Sequence, residues 1–216
     1  MLAIFDTEGV LVDGEFLPEV AKRIGKEKEI DLLTQKGLRG EIKWEEGLKR
    51  RIETLRGISY DVYVETVQKM RLMPGAIEAI QKLKAMGFKT ITISGGPTLL
   101  VKRLKTELGL DYTFANDILF TNHKISGVNM RVNSNKAGVL RSILDQLGED
   151  RRTIVSIVDG ANDLTLFDIA GLSIAFNAQE IVEERADIII KKKNMMEIIP
   201  VVRDHFFPKN GQSKRP

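Results

Sequence analysis

The segment LAIFDTEGV, residues 2–10, is a short apolar run that ends abruptly in two carboxylates, Asp6 and Glu8. An apolar run of this length predicts a buried strand over residues 2–5. Similar runs recur downstream at residues 90–93, 154–158, 172–176 and 188–190, with helical periodicities between them. Strands that alternate with helices predict a parallel sheet covered on both faces, and the ligands of such sheets bind beyond the carboxyl ends of the strands.

One long stretch interrupts this alternation. Residues 14–73 contain no convincing strand, but they contain three helical faces of apolar residues, over 16–24, 44–55 and 63–70. We therefore predict an α/β protein in which a three-layer, Rossmann-like core of residues 1–13 and 74–208 carries a small helical cap, residues 14–73, inserted after the first strand. The polar, glycine-marked stretch 117–132 predicts a β-hairpin, and the basic end, residues 209–216, predicts a disordered tail.

The composition narrows the possible classes of function. The 216 residues include no cysteine and only two histidines, which excludes disulfides, thiolate zinc sites and histidine-rich metal centres. The net charge of +3 comes from mixed charges along the chain, so we expect no nucleic-acid partner. No apolar run is long enough for a membrane helix and the amino terminus lacks a signal-peptide pattern, so we expect a cytoplasmic protein with no membrane partner. The sequence carries no signal for the oligomeric state.

A second acidic cluster, Asp159-Gly160-Ala161-Asn162-Asp163, follows the predicted strand at residues 154–158. Because parallel strands end at one edge of a sheet, this cluster and Asp6-Thr7-Glu8 are expected to meet there. So many carboxylates in one crevice are unfavourable unless a cation neutralises them. Oxygen ligands favour a hard ion, so the sequence predicts Mg²⁺ together with a small phosphomonoester substrate.

Two further features suit a phosphate group. Ser94-Gly95-Gly96 follows a predicted strand and is expected to open a helix, where a hydroxyl and exposed N–H groups can hold an anion. Lys136 opens the next long helix and can balance the charge of phosphoryl oxygens. Each feature alone has an ordinary explanation, since Asp often caps a helix, Ser-Gly-Gly is a common turn and most lysines are solvated. Their order along the chain favours phosphoryl transfer through an aspartyl-phosphate.

The order of these motifs, Asp6-x-Glu8-Gly-Val10, Ser94-Gly-Gly, Lys136 and Asp159-Gly-Ala-Asn-Asp163, resembles that of the haloacid dehalogenase-like superfamily. Within it the chain is similar to the archaeal and bacterial phosphoserine phosphatases, from Leu2 to about Val201 and including the helical insertion. The resemblance implies a Mg²⁺-dependent phosphomonoesterase that hydrolyses L-phosphoserine to L-serine and phosphate.

The resemblance also implies roles for residues of the core. Asp6 is expected to be the nucleophile, Glu8 the general acid/base, and Lys136 the cation that steadies the Asp6 carboxylate. The core residues expected to bind the phosphate group are Ser94, Gly95, Gly96 and Asn162. The expected metal ligands are Asp6, Glu8 through its backbone carbonyl, Asp159 and Asp163.

The resemblance also implies that the cap recognises the amino and carboxylate groups of the substrate. Glu15 is expected to attract the ammonium group, and Arg51 is expected to bind the carboxylate, which its guanidinium can contact with two parallel hydrogen bonds. Leu38 and Trp44 are expected to close the pocket and exclude water.

Two residues depart from the family pattern. Glu8 stands where Asp is usual, which moves the carboxyl group by ~1.5 Å unless the backbone adjusts. A misplacement of about 1 Å can lower a rate on the order of 100-fold. Val158 stands where Gly is usual, directly before Asp159. Two alternatives therefore stay open: a phosphotransferase that passes the group to another alcohol such as homoserine, and a module that binds Mg²⁺ and a phosphorylated ligand without catalysis.

Overall fold

A seven-stranded sheet forms the centre of the computed structural model, which describes residues 1–208. The strand order is β4-β3-β2-β1-β5-β6-β7, and only the β3–β4 pair is antiparallel. The strands are β1 (Leu2–Phe5), β2 (Lys89–Pro97), β3 (Tyr112–Thr121), β4 (Lys124–Asn129), β5 (Ile154–Val158), β6 (Leu172–Phe176) and β7 (Ile188–Ile190). The predicted tail at 209–216 lies outside the described residues.

The described part of the chain contains ten α-helices, and the two longest have 12 residues each. The α-helices are α1 (Phe16–Ala21), α2 (Glu27–Leu38), α3 (Trp44–Thr54), α4 (Tyr60–Lys69), α5 (Ala76–Ala85), α6 (Thr98–Leu108), α7 (Lys136–Leu147), α8 (Thr165–Asp168), α9 (Glu180–Glu183) and α10 (Ile198–Phe206). Short 3₁₀ turns lie at Lys22–Ile24, Arg151–Thr153, Ala161–Asp163 and Met195–Glu197. Within residues 1–208, no helix combines the length and the apolar character that crossing a membrane requires.

The central strand β1 explains why the sheet is covered on both faces. Its four residues are completely buried, and their side chains alternate between two apolar clusters. Ala3 and Phe5 belong to one cluster, and Leu2 and Ile4 belong to the other. Because β1 pairs in parallel with both β2 and β5, the residues that follow β1 and β5 emerge at the same edge. The predicted three-layer α/β core is confirmed.

The predicted hairpin is also confirmed, although its first strand is longer than expected. β3 begins at Tyr112, because its amino-terminal half pairs in parallel with β2 and its second half pairs antiparallel with β4. The turn contains Asn122 and His123, both with positive φ, at 48° and 62°. This conformation matches the right-handed twist of a tight hairpin.

The insertion between β1 and β2 contains α1 to α4, one helix more than the apolar pattern predicts. The missing helix is α2, whose buried face consists of Ile30, Thr34, Gly37 and Leu38. Two of these four residues are not hydrophobic, so a search for apolar periodicity overlooks the helix. Leu32, on the other hand, is 54% exposed and adds an apolar residue on the wrong face.

Two neighbouring chain segments connect the insertion to the core. The backbone N–H of Asp13 donates to the carbonyl of Arg71 at 2.9 Å, and that of Met73 donates to Leu11 at 2.9 Å. The insertion also contacts the hairpin, since the N–H of Gly57 donates to the carbonyl of Ile125 at 2.9 Å. These bonds hold the four helices over one end of the sheet. The exact division at residues 13/14 and 73/74 stays a prediction.

Candidate active site

A buried lysine links two acidic groups at the carboxyl end of β1. Lys136, the first residue of α7, lies with its Nζ 2.5 Å from Oδ1 of Asp6 and 3.1 Å from the carbonyl oxygen of Ile93. It also forms an ion pair with Asp163. Burial lowers the pKa of Lys136, but the carboxylates of Asp163 and Asp6 outweigh burial and raise it well above its usual range. Lys136 is therefore a permanent cation that fixes the orientation of the Asp6 carboxylate.

Three carboxylates converge beside this lysine. Oxygens of Asp6, Asp159 and Asp163 lie within 4.8 Å of one another, and all three residues are buried. Burial and then the charge of Asp6 raise the pKa of Asp163 to about 7, and the same two causes raise the pKa of Asp159 well above its usual range. Oδ1 of Asp159 is buried and has no hydrogen-bond partner among the described residues. An unsatisfied carboxylate oxygen in an acidic cluster fits a hard cation, so these three residues can hold a metal ion.

Gly9 and Val158 shape the surroundings of Asp159. Gly9 has a φ of +80°, and a Cβ atom at this position would overlap the Asp159 carboxylate. Val158, the last residue of β5, is completely buried in an apolar cluster. The valine that departs from the family pattern therefore packs within the core.

Glu8 contacts the start of α1 and the end of β2. Its Oε1 accepts a hydrogen bond from the backbone N–H of Phe16 at 2.6 Å, at the start of α1, and its Oε2 lies 3.5 Å from Oγ of Ser94. Burial, reinforced by the charge of Asp6, raises the pKa of Glu8 from 4.5 to about 7. The Glu8 carboxylate is outside the three-carboxylate cluster, and the predicted metal contact of its backbone carbonyl stays a prediction.

The prediction that Ser94-Gly95-Gly96 opens a helix is wrong. β2 continues through these residues to Pro97, and α6 begins only at Thr98. The pairing of β2 with β3 shifts register between Ile93 and Pro97, so the chain bulges here without leaving the sheet. Gly96 donates its backbone N–H to Oγ of Ser94 at 2.9 Å. The three residues are buried at the strand end, and not at the positive end of a helix.

Asn116 is a supporting residue that the sequence reasoning missed. It is completely buried in β3, and its Nδ2 donates to the carbonyls of Gly95 and Val132, both at 3.0 Å. Its Oδ1 accepts from the backbone N–H groups of Arg131 at 2.7 Å and Val132 at 2.8 Å. One side chain therefore fixes Gly95 to the segment that precedes α7. A polar residue inside an apolar strand was the available sequence signal.

Arg51 is a buried, positively charged residue of the insertion. Its side chain is 2% exposed, with Nε donating to the carbonyl of Gly47 at 3.2 Å and Nη1 donating to Oγ1 of Thr34 at 2.9 Å. Its guanidinium carbon lies 4.4 Å from the ring centre of Trp44, within range of a cation–π contact. Nη2 is buried and has no partner among the described residues. Arg51 therefore keeps one donor edge free.

Glu15 is close enough to this arginine and to the acidic cluster for its charge to respond to both. It lies directly before α1; the residue as a whole is partly exposed, but its carboxyl group is surrounded by protein. Burial, together with the charges of Glu8 and Asp6, raises the pKa of Glu15 well above its usual range, while Arg51 acts in the opposite direction. The structure thus brings the two residues predicted to bind the amino and carboxylate groups within electrostatic range of each other.

The insertion touches the core strand ends through the two residues predicted to close the pocket. A Cβ atom on Gly160 would lie 2.6 Å from Cδ2 of Leu38, and one on Gly95 would lie 2.6 Å from Cε2 of Trp44. Leu38 and Trp44 are 5% and 6% exposed, so the strand ends cover both side chains. The two glycines leave the space that these contacts need.

Five buried side-chain polar atoms in residues 1–208 lack a hydrogen-bond partner: Trp44 Nε1, Arg51 Nη2, Asp159 Oδ1, Asn162 Oδ1 and Ser156 Oγ. All but the serine oxygen belong to residues of the site or of the insertion that covers it. Asn162 uses its other polar atom, Nδ2, to donate to Oδ1 of Asp163 at 3.2 Å. Since buried polar atoms are rarely left unpaired, their concentration here indicates that a polar ligand completes the site.

Comparison with known proteins agrees with this geometry. Residues 1–171 match the family described as haloacid dehalogenase-like hydrolase. The phosphoserine phosphatase of Methanocaldococcus jannaschii is 33% identical over 205 residues, covering 94% of this chain and 97% of that protein. The phosphoserine phosphatase of Archaeoglobus fulgidus is 36% identical over 205 residues, but this chain spans only 60% of its length.

Solved structures give the same result. A phospho-aspartyl intermediate analogue of phosphoserine phosphatase superposes with a TM-score of 0.90 at 33% identity, covering 93% of this chain and 97% of that one. A substrate-bound phosphoserine phosphatase superposes with a TM-score of 0.89 at 32% identity and the same coverage. The chain is therefore an enzyme of the haloacid dehalogenase-like hydrolase family and, within it, belongs to the phosphoserine phosphatases.

Proposed function

We propose that this chain hydrolyses L-phosphoserine to L-serine and inorganic phosphate, with Asp6 as the nucleophile. The observation that carries the proposal is the position of the Asp6 carboxylate. Its Oδ1 accepts a hydrogen bond from Nζ of Lys136 at 2.5 Å, and it belongs to a cluster of acidic groups that can hold a metal. A fixed carboxylate with a neighbouring permanent cation suits attack on a phosphorus atom, because phosphoryl transfer depends chiefly on positioning and charge neutralisation.

The reaction proceeds in two displacements at phosphorus. In the first, a carboxylate oxygen of Asp6 forms a bond to phosphorus, the bond between phosphorus and the serine oxygen breaks, and protonated Glu8 gives its proton to that oxygen. In the second, Glu8 takes a proton from water as the water oxygen attacks phosphorus, and the bond to Asp6 breaks to release phosphate. A pKa of about 7 allows Glu8 to serve as acid and then as base near neutral pH.

The metal is proposed to be Mg²⁺, held by Asp6, Asp159 and Asp163 and by the backbone carbonyl of Glu8. When bound, Mg²⁺ would neutralise phosphoryl oxygens and lower the repulsion between the phosphate and the acidic cluster. Ser94, Gly95 and Gly96 are proposed to line the remaining side of the phosphate group, with Lys136 supplying a further positive charge. Asn162 has a free Oδ1 in this region and is proposed to support the metal and the phosphate group.

Selectivity for phosphoserine is proposed to come from the insertion. The free Nη2 edge of Arg51 suits a carboxylate, and Glu15 suits an ammonium group. Two relatives that match more than nine-tenths of this chain are phosphoserine phosphatases, which supports the same substrate. The expected cytoplasmic location and the absence of a nucleic-acid partner stay predictions from the sequence.

The test compares wild-type protein with Asp6→Asn, using Asp13→Asn as the matched control. Asp13 is exposed, pairs with Lys193 at 2.8 Å and is not a member of the acidic cluster. With Mg²⁺, wild type and the control should release phosphate from phosphoserine, and Asp6→Asn should lose about 10⁴-fold or more of that activity. EDTA should stop the reaction in the wild type.

Three results would contradict the proposal. A residual rate in Asp6→Asn close to that of the wild type would exclude this nucleophile. Faster turnover of sugar phosphates or nucleotides would exclude phosphoserine as the preferred substrate. A new phosphorylated alcohol, detected by mass spectrometry after homoserine is added, would replace hydrolysis by phosphotransfer.

A further inference from the structure

Trp44 carries a polar atom that makes no hydrogen bond within the described part of the chain. The side chain is 6% exposed, and its Nε1 is buried without a hydrogen-bond partner among residues 1–208. Indole can only donate at this nitrogen, so the missing partner must be an acceptor. Buried donors without acceptors are rare in folded proteins, which makes the position of this atom informative.

The nitrogen edge of the indole lies against Gly95. A Cβ atom at Gly95 would overlap Nε1 and would lie 2.6 Å from Cε2 and 2.8 Å from Cζ2. The opposite edge of the ring faces Gly37, where a Cβ atom would lie 3.0 Å from Cε3. The ring is thus held between α2 and the end of β2, with its N–H directed at the Ser94-Gly95-Gly96 segment.

Within residues 1–208, no acceptor at the strand end is bonded to this N–H. The carbonyl of Gly95 accepts from Nδ2 of Asn116 at 3.0 Å and makes no bond to the indole. The Ser94 hydroxyl accepts from the N–H of Gly96 at 2.9 Å and lies near Glu8. The Arg51 guanidinium stacks on the face of the ring and is itself a donor.

We propose that the Trp44 indole N–H donates a hydrogen bond to a phosphoryl oxygen of the bound substrate. The inference deepens the proposed function and rests on it for the identity of the phosphorylated ligand. Phosphoryl oxygens are charged acceptors, and a buried bond to a charged acceptor is stronger than a neutral one. The phosphoryl group is favoured over the substrate carboxylate because the indole N–H lies at Gly95, in the segment proposed to line the phosphate group. The donor available to the substrate carboxylate is instead the unpaired Nη2 of Arg51.

This bond would link the insertion to the transferred group. Trp44 belongs to α3, while Gly95 belongs to β2, so the donor reaches the phosphate only when the helices cover the strand ends. Trp44 then binds the phosphate in addition to excluding water, and a phosphorylated ligand favours the covered state over an open one.

The chain has a single tryptophan, which allows a direct test on the wild-type protein. Its ¹H–¹⁵N spectrum should contain one indole signal, and inorganic phosphate with Mg²⁺ should move the indole proton downfield in a saturable way. The midpoint should agree with the concentration at which phosphate inhibits turnover. Sodium chloride at equal ionic strength and L-serine should leave the signal in place. An indole signal that ignores inhibitory phosphate, or that responds to L-serine instead, would overturn the proposal.

The variant Trp44→Phe provides the second test, because it keeps an aromatic ring under Arg51 and removes only the N–H and part of the ring. We expect kcat/KM to fall roughly tenfold or more. The fall should be equal for phosphoserine and for phosphoethanolamine, which has no carboxylate. A loss confined to phosphoserine would place the bond on the carboxylate and overturn the assignment to phosphate.

Failure of the proposed function would look different. If the wild type did not hydrolyse phosphoserine but its indole signal still responded to phosphate, the substrate would be wrong and the Trp44 contact would stand.

Discussion

In the core, the buried site atoms without a partner are oxygens, Oδ1 of Asp159 and Oδ1 of Asn162, whereas in the insertion they are nitrogens that can only donate. Asp6, Lys136 and Asp163 form a continuous buried network. Arg51 and Trp44 are equally buried, yet each keeps one nitrogen without a partner among the described residues. The core therefore fixes its nucleophile before any ligand arrives and keeps free oxygens that suit a cation, while the insertion lacks acceptors that a ligand can supply.

The difference separates chemistry from recognition. A pre-formed network holds the reacting carboxylate at a fixed position, which accelerates the chemical step. Unused donors contribute only when a matching acceptor is bound, which selects among ligands. We therefore expect substitutions in the core network to lower kcat and stability, and substitution of Arg51 in the insertion to change KM and substrate preference.

Among the tests of this difference between core and insertion, the largest effect is expected for Lys136→Met. The substitution leaves Asp6 and Asp163 buried without their cation, and breaking a buried ion pair typically costs about 3–5 kcal/mol of unfolding free energy. The value of kcat should also fall by about 10³-fold, because a charge that orients the nucleophile and the phosphate is lost. Urea unfolding in EDTA and phosphate release with Mg²⁺ measure the two effects.

Lys105→Met is the matched control, since Lys105 is an exposed lysine on α6. It should change neither quantity noticeably. If Lys136→Met kept both full activity and full stability, the core network would not be the pre-formed half of the site.

The next effect concerns pH and metal. The pKa values of Glu8 and Asp163 are raised to about 7, chiefly by burial, so the folded metal-free protein binds protons at these groups more tightly than the unfolded chain does. Stability from this source is complete below about pH 4, and it is lost as the pH rises through 7. For Glu8 the shift from 4.5 to about 7 corresponds to about 3 kcal/mol.

Urea unfolding in EDTA between pH 4 and 8 should show this decline, and Mg²⁺ should restore stability at pH 7.5 more than at pH 5. Glu8→Gln removes one titrating group and should reduce the slope while leaving the contribution of Asp163. A metal-free protein whose stability rises across this range would show that the acidic groups are not destabilised by burial.

The third effect tests the insertion. Arg51→Lys keeps the positive charge but loses the planar pair of donors, so KM for phosphoserine should rise about 10- to 100-fold. Turnover of phosphoethanolamine should change little, because that substrate has no carboxylate for Arg51 to bind. Steady-state kinetics on both substrates measure the contrast.

Arg50→Lys is the control for this substitution, because Arg50 is the preceding residue in α3 and pairs with Glu46 on the exposed surface. It should behave as wild type. An equal loss on both substrates in Arg51→Lys would mean that Arg51 acts on the phosphate or on the fold, and the proposed division of roles would be wrong.

The sequence predicts the core half of the site far better than the insertion half. Asp6 and Asp159 follow apolar runs, and parallel topology alone places such residues at one edge. Lys136 could be named as a cation, but its bond to Asp163 depends on where α7 begins relative to that edge. Local chemistry and strand topology are both readable from residue order.

The insertion depends on contacts that residue order does not reveal. α2 is missed because Thr34 and Gly37 replace apolar residues on its buried face, and the reason becomes clear only when Arg51 and Trp44 are seen packed against them. The bulge at Ser94-Gly95-Gly96 is likewise missed, because Asn116, from the neighbouring strand, fixes the carbonyl of Gly95. Such long-range side-chain contacts override local patterns.

The smallest effect tests whether an unpaired buried atom marks ligand contact at all. Ser156 lies in β5. Of the five buried polar atoms without a partner in residues 1–208, only its Oγ lies outside the site and the insertion that covers it. Its neighbour across the strand pair is Ser173, whose Oγ donates to Asp187 at 2.6 Å. The two serines therefore form a matched pair, in which the hydroxyl of Ser173 makes a hydrogen bond and that of Ser156 makes none.

Ser156→Ala removes a buried hydroxyl that gains nothing from the fold, so the free energy of unfolding should stay the same or rise by up to about 1 kcal/mol. Ser173→Ala breaks a formed bond and should lower it by about 1–2 kcal/mol. Activity should be unchanged in Ser156→Ala, in contrast to the loss expected when the Trp44 N–H is removed. If Ser156→Ala were instead as destabilising as Ser173→Ala, its hydroxyl would be satisfied in solution. A missing partner would then no longer indicate contact with a ligand.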